Sequence, residues 1–259
     1  MQRYLIELEY IGDDFAGSQK QPKKMPNRNK PVITIQDELE KAISTLTKTK
    51  TKTIFSGRTD AGVHAKGQTA HFDTELELSP SKFINSLNGI LPNTISIKEL
   101  KKVPKTFHAQ KSARARYYRY TIVNRAQRSA WDAHCLLVRN KLDLERMNKA
   151  LSYLLGEHDF TSFKKVRTNN PAKICNMYKA EATRDGDYVY IDFIADRFLY
   201  NMIRSIVGTL LLMERKSLAP ETLRDILEAR DKTKAGSTIS PEGLTLVKVI
   251  YNDINGESL

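Results

Sequence analysis

Through residues 3–11, RYLIELEYI, apolar and polar side chains alternate in the period of a strand. The period then changes. Ile35, Leu39, Ala42, Ile43 and Leu46 recur at the spacing of one helix face. Thr34 stands at the N-cap position, and Asp37 and Glu38 fall in the first turn, so a helix is expected to run to about residue 46. Short strands are expected at residues 51–55 and 68–73, a helix at 80–87 opened by Ser79 and Pro80, and a strand at 94–103. The order is β-α-β-β-α-β, the split βαβ or ferredoxin-like arrangement. The second half is expected to repeat it loosely. Its strands fall at residues 107–113 and 117–123, with a helix at 143–155. A hairpin, 174–184 with 188–195, turns at Asp185-Gly186-Asp187. Helices at 198–213 and 220–229 and a closing strand at 244–251 complete it. Two related α/β domains are therefore expected, residues 1–105 and 106–259.

Composition narrows the class. With 259 residues, 40% hydrophobic and 28% charged, the chain is long enough to bury one large core or two small ones. The longest nearly apolar run is residues 206–213, far short of the roughly 20 needed to span a bilayer. Glu7 and Glu9 stand where a signal peptide needs an apolar centre, so neither a membrane span nor an export signal is expected. Cys135 and Cys175 form no CxxC pair and the five histidines are scattered, which argues against zinc. Reduced, buried thiols suit the cytoplasm.

Charge points to a partner. The net charge is +12, and residues 105–128 hold seven basic side chains and no acidic one. Basic residues interleaved with aromatics, as in KSARARYYRY, suit a phosphate backbone whose bases can stack.

The most informative stretch is FSGRTDAGVHAKGQTAHF, residues 55–72. Gly57, Gly62 and Gly67 recur at five-residue intervals, with Arg58, Asp60 and Lys66 among them. It is not a phosphate-binding P-loop, because Gln68 and Thr69 follow Gly67 where Lys and Ser or Thr are required. A nearby cation such as Arg58 favours an ionised Asp60. An ionised carboxylate repels phosphate, so its presence in a basic RNA-binding chain points to catalysis rather than binding.

SGRTDAGVHAKGQ, residues 56–68, resembles the signature of the tRNA pseudouridine synthase A family. The resemblance extends to Gly17, Gln19, Gln21 and Pro22, to Leu87-Asn88 and Leu91-Pro92, and to Phe107-His108-Ala109 and residues 117–120. It continues through GEHDFTSF (156–163), Asn201, Met202, Arg204 and Gly208, Gly243-Leu244, and residues 249–251. There are three departures. Ser18 stands where the family usually has Trp, the loop at residues 23–30 is longer, and Ile239-Ser240-Pro241 replaces an Ala-Pro-Ala-like run.

The resemblance implies two ferredoxin-like or RRM-like domains with antiparallel sheets flanking a basic active-site cleft. It implies a homodimer that acts on tRNA, isomerising uridines 38, 39 and 40 (standard tRNA numbering), with no cofactor and no metal. Asp60 would be the catalytic carboxylate. Tyr118 would stack on the flipped uracil and serve the final proton transfer. Arg204 would pair with Asp60, and Arg58 would help displace the target nucleotide. Lys111, Arg114 and Arg116 in the basic stretch are expected to contact RNA, while His64, His71, His108 and His158 are expected to be structural or RNA contacts. Two alternatives stay open: a pseudouridine synthase acting on another RNA, and a non-catalytic RNA-binding protein of the same fold.

Overall fold

The computed structural model describes residues 1–20, 33–165 and 173–251; the expected loop at residues 23–30 lies outside them. Two compact units are present: Met1–Arg114 joined by the chain from Thr245 onward, and Ala115–Leu244. The division therefore differs from a single break after residue 105, because the closing strand returns to the first unit.

In the first unit, β1 (Gln2–Tyr10), α1 (Ile35–Thr47), β2 (Thr53–Phe55), β3 (His64–Thr74), α2 (Pro80–Ile90) and β4 (Ile95–Val103) follow the expected order. β1 is central. It runs antiparallel to β3, with Ile6 opposite Ala70, and to β4, with Ile6 opposite Leu100. β2 lies antiparallel on β3 through Ile54 and His71. Tyr4, Ile6 and Leu8 of β1 are buried, as are Ile35, Leu39 and Ile43 of α1 and Phe83 and Leu87 of α2. Tyr4, Phe72 and Phe83 stack in series, with ring centroids 5.9 and 6.2 Å apart. The expected cap at Thr34 is a full capping box: its hydroxyl accepts from Asp37 N, and the Asp37 carboxylate accepts from Thr34 N. Such a cap stabilises a helix by about 1 kcal/mol.

In the second unit, β5 (Ala113–Val123) is followed by β6 (Leu136–Leu137), α3 (Leu144–Ser152), β7 (Gly156–Asp159), β8 (Ile174–Asp185), β9 (Tyr188–Ala195), α4 (Met202–Lys216) and α5 (Glu221–Ala229). β9 lies between β5 and β8, and β7 pairs the far side of β8, all antiparallel. The two-residue β6 runs parallel to β5, with Ile122 opposite Leu136. The β8–β9 hairpin closes as expected, Asp185 opposite Tyr188, with Gly186 at φ 55°. The chain then closes with β10 (Leu244–Tyr251), which is parallel to β3 at Thr245–His64 and Leu246–Ala65. A Cβ on Gly67 would lie 2.5 Å from the Val247 carbonyl oxygen, so the close approach of β10 requires glycine there.

Two expected elements differ. Residues 107–112 form turns rather than a strand: the amides of residues 108–111 go to side chains, and Phe107 N and Ser112 N close local turns on the Pro104 and His108 carbonyls. Ala109 N donates to His71 Nδ1, and Gln110 N and Lys111 N both donate to His108 Nδ1. Helix α4 begins at Met202, not residue 198, because Asn201 adopts φ 65° just before it. Cys175 is buried as expected, but Cys135 is only half-buried. Among the described residues, no helix is long and apolar enough to cross a membrane.

The buried His71 gives the first unit a pH dependence. Burial, then the nearby Arg3 and His108, push its pKa from 6.5 down to about 4. Between those values the unfolded chain binds a proton that the folded one refuses. The stability is full above about pH 6.5 and is lost as the pH falls toward 4, by roughly 3 kcal/mol at most. Urea unfolding of the wild type should therefore show a drop across this window that His71→Gln lacks. Parallel pH profiles for the two proteins would contradict it.

Candidate active site

Asp60 sits at the start of a four-residue turn between β2 and β3. Its carbonyl accepts from Val63 N at 3.1 Å, and Gly62 occupies the third position at φ 77°, a conformation that favours glycine. The turn carries its own backbone hydrogen bond, and the Asp60 side chain is half-buried. Gly57 carries no such requirement: a Cβ there would meet nothing within 4 Å. Arg58, next to Gly57, is exposed.

The residue before Asp60 is held from several sides. Thr59 N donates to Ser18 Oγ at 2.8 Å, and Ser18 N donates to the Thr59 carbonyl at 3.1 Å. The Thr59 hydroxyl lies 2.8 Å from the Tyr10 hydroxyl, to which Gln68 Nε2 also donates. Gln68 Nε2 donates further to the Gly57 carbonyl, and Ser56 Oγ donates to Gln68 Oε1 at 2.7 Å. Burial pushes the Tyr10 phenol up to about 12, so it remains a neutral hydrogen-bonding group at neutral pH. Gly17, at φ 97°, brings its Cα so close that a Cβ would lie 2.7 Å from the Thr59 carbonyl oxygen. Tyr10, Gly17, Ser18, Thr59 and Gln68 thus fix the approach to Asp60. None of them was singled out by chemistry in the sequence. The signals were the resemblance at Gly17 and across residues 56–68 and the departure at Ser18, whose side chain is fully buried here.

His64 makes contacts within this unit. Its Nδ1 accepts from Gly12 N at 3.0 Å, which leaves the ring proton on Nε2, 3.8 Å from the Asp13 carboxylate. Lys111 and Arg114 are exposed at the end of the first unit.

The other expected residues lie in the second unit. Strand pleat puts Arg116, Tyr118 and Tyr120 of β5 on one face. The Tyr118 ring is 8% exposed and meets Phe198 edge-to-face, with centroids 5.2 Å apart and planes at 82°. Arg116 Nη1 donates to the Asp196 carbonyl at 2.6 Å, and the Tyr120 hydroxyl donates to the Ser240 carbonyl at 2.8 Å.

Arg204 lies in the first turn of α4. Its Nε donates to the Ile239 carbonyl at 2.7 Å and its Nη1 to Asn201 Oδ1 at 3.2 Å. The helix face that carries it is not a solvated one. Ser205 and Thr209 are fully buried, and a Cβ on Gly208 would lie 2.0 Å from the Ser237 carbonyl oxygen. Gly236 N donates to Thr209 Oγ1, so the strand of chain from Gly236 to Ile239 lies directly on this face. The departure at Ile239-Ser240-Pro241 therefore falls where backbone carbonyls, of Ile239 and Ser240, accept from Arg204 and Tyr120.

Comparison with known proteins matches both units. The family model described as tRNA pseudouridine synthase matches residues 8–110 and 150–252. The chain is 39% identical over 252 residues to a tRNA pseudouridine synthase A of Clostridium acetobutylicum, covering 97% of this chain and 100% of that protein. It is 38% identical to that of Exiguobacterium sibiricum, covering 97% of each chain. It is 40% identical to that of Vibrio vulnificus, covering 96% of this chain and 92% of the relative.

Proposed function

The chain belongs to the tRNA pseudouridine synthase family, and from that premise we propose that it isomerises uridines 38, 39 and 40 (standard tRNA numbering) of the anticodon stem-loop, with Asp60 as its catalytic carboxylate. The observation that carries this reading is the mounting of Asp60: a carboxylate on a rigid turn, its neighbour Thr59 held by Ser18 and Tyr10, with the cation Arg58 exposed beside it.

The reaction breaks the C1′–N1 bond of uridine, rotates the uracil, and forms a C1′–C5 bond. N1 gains a proton and C5 loses one, so no electrons are exchanged and no cofactor is required. The target base must leave its stack to be reached. Asp60 supplies an oxygen that acts as nucleophile or stabilises positive charge on the ribose. Tyr118 stacks on the uracil and its hydroxyl moves the C5 proton. By the family resemblance Arg204 would pair with Asp60, and within its own unit its guanidinium is held by the Ile239 carbonyl and Asn201. Arg58 displaces the target nucleotide, while Lys111, Arg114 and Arg116 meet the RNA backbone. The working form is a cytoplasmic homodimer.

The reading is tested with an unmodified tRNA transcript carrying tritium at C5 of uridine. Each isomerisation releases one C5 hydrogen, so tritium should appear in water in step with pseudouridine. Tritium retained in the presence of active-site equivalents of protein would overturn the reading.

Arg204→Ala should lower single-turnover rates by roughly 10²-fold, since removing one partner of an ion pair that is buried in the working site costs about 3 kcal/mol. tRNA affinity should change much less. Arg204→Lys should not restore the rate, because the planar fork reaches Ile239 and Asn201 together and an ammonium does not. Normal turnover in Arg204→Ala would make Arg204 a purely structural residue of α4.

A further inference from the structure

Trp131 is the one tryptophan of the chain, and it is 96% exposed. It stands midway along residues 124–141, an excursion whose root is closed. Asn124 Nδ2 donates to the carbonyls of Val138 and Asn140, and β6 pairs with β5 just inside them. The middle is equally well built. Ser129 Oγ accepts from Trp131 N in a short 3-10 turn, Ala130–Asp132. The Asp132 carboxylate takes Arg125 and, at 2.8 Å, the Tyr188 hydroxyl, while Arg125 also reaches Asp187 at 3.0 Å. The indole is thus presented to solvent on a fixed mount. Its neighbours Ala130 and Ala133 are themselves exposed and too small to cover it.

The charge of the excursion is one-sided. Arg125 and Asp132 pair with each other, which leaves exposed Arg128, Arg139 and Lys141 as the surplus of the excursion. The mount also lies beside residues already discussed. Burial and then Asp132 and Glu242 raise the thiol pKa of Cys135, and the Tyr120 hydroxyl feels Glu242, Arg204 and Cys135 together. The excursion is tied to the same strand as Tyr118 and Tyr120, because β6 pairs with the end of β5.

We propose that Trp131 is a stacking contact for an unpaired nucleobase of the tRNA, outside the reacting nucleotide, with Arg128, Arg139 and Lys141 meeting the adjoining phosphates. This rests on the tRNA reading above. Protein contacts to unpaired RNA bases are made largely by aromatic faces, and they tolerate sequence because every base has a π-face. A second copy of the chain is a poorer occupant. A symmetric contact would bring the same three cations face to face and repel.

Because Trp131 is the sole tryptophan, its fluorescence reports the contact directly. Titration with unmodified tRNA should quench it along the same isotherm as filter binding. Trp131→Ala should weaken tRNA binding roughly 5- to 150-fold, with the loss appearing in KM, and Trp131→Phe should recover most of it. An exposed side chain is not needed for folding, so the thermal midpoint should stay put. Unmoved fluorescence at saturating tRNA, or wild-type affinity in Trp131→Ala, overturns the proposal. So does a fluorescence change that follows protein concentration without RNA, which would assign Trp131 to an interface between copies. Pseudouridine counted in the same tRNA with wild-type protein separates the two readings. If pseudouridine forms while Trp131 is silent, only the stacking contact falls; if none forms, the catalytic reading falls.

Discussion

Asp60→Asn should leave tRNA binding intact and abolish turnover. The turn that carries Asp60 is made by the Asp60 carbonyl, Val63 N and the positive φ of Gly62, none of which the substitution touches. Asn has the same shape, and the Ser18–Thr59 and Tyr10–Thr59 bonds lie on the preceding residue. The fold should therefore survive, and any loss belongs to the chemistry. An amide oxygen can neither attack as a carboxylate does nor balance a developing cation. Loss of a catalytic group of this kind costs roughly 10⁴-fold or more. Removing a negative charge also removes repulsion against phosphate, so affinity should hold or rise. Filter binding alongside tritium release reads both quantities. Activity within tenfold of wild type would sink the role assigned to Asp60.

Tyr118→Phe separates two jobs. The ring packs edge-on against Phe198 at 5.2 Å, and Phe preserves that contact, so stability should change little. Stacking on a base needs only the ring, so tRNA affinity should also hold. The hydroxyl is what moves the C5 proton, and general acid–base groups typically contribute about 10²–10⁴-fold, so turnover should fall in that range. A substrate deuterated at C5 should then react visibly more slowly in the variant than its protium form. Tyr118→Leu should bind more weakly as well, since stacking on a base is worth about 1–3 kcal/mol. The reverse pattern, with Phe weakening binding while turnover holds, would make the hydroxyl an RNA contact and give the proton to another group.

Local features of the fold were legible in the sequence, and distant ones were not. The capping box at Thr34 and Asp37, Pro80 at the start of α2 and the hairpin at Gly186 are written in neighbouring residues, and all three form as expected. The strand at the end of the chain was also legible, because alternation marks a strand. Its partner was not: Thr245 pairs with His64, and no local pattern encodes a contact of that sequence separation. Residues 107–112 alternate like a strand, yet His71 and His108 take their amides, and that competition appears only in three dimensions. Helix α4 was placed too early because Phe198 and Leu199 fit its apolar period, whereas the left-handed Asn201 sets its start. The glycine spacing around Asp60 drew attention to the loop to which the chemistry is assigned. Its support did not stand out, since Ser18 looks like an ordinary polar residue until its hydroxyl is seen to hold Thr59.

The central claim is that this chain places pseudouridine in tRNA through Asp60. Nucleotide-resolution mapping of pseudouridine in total RNA, from cells with the wild-type protein, with Asp60→Asn and with neither, tests it most directly. The account predicts pseudouridine at tRNA positions 38, 39 and 40 with the wild type alone. The same sites modified in all three samples, or restored by Asp60→Asn, would contradict it.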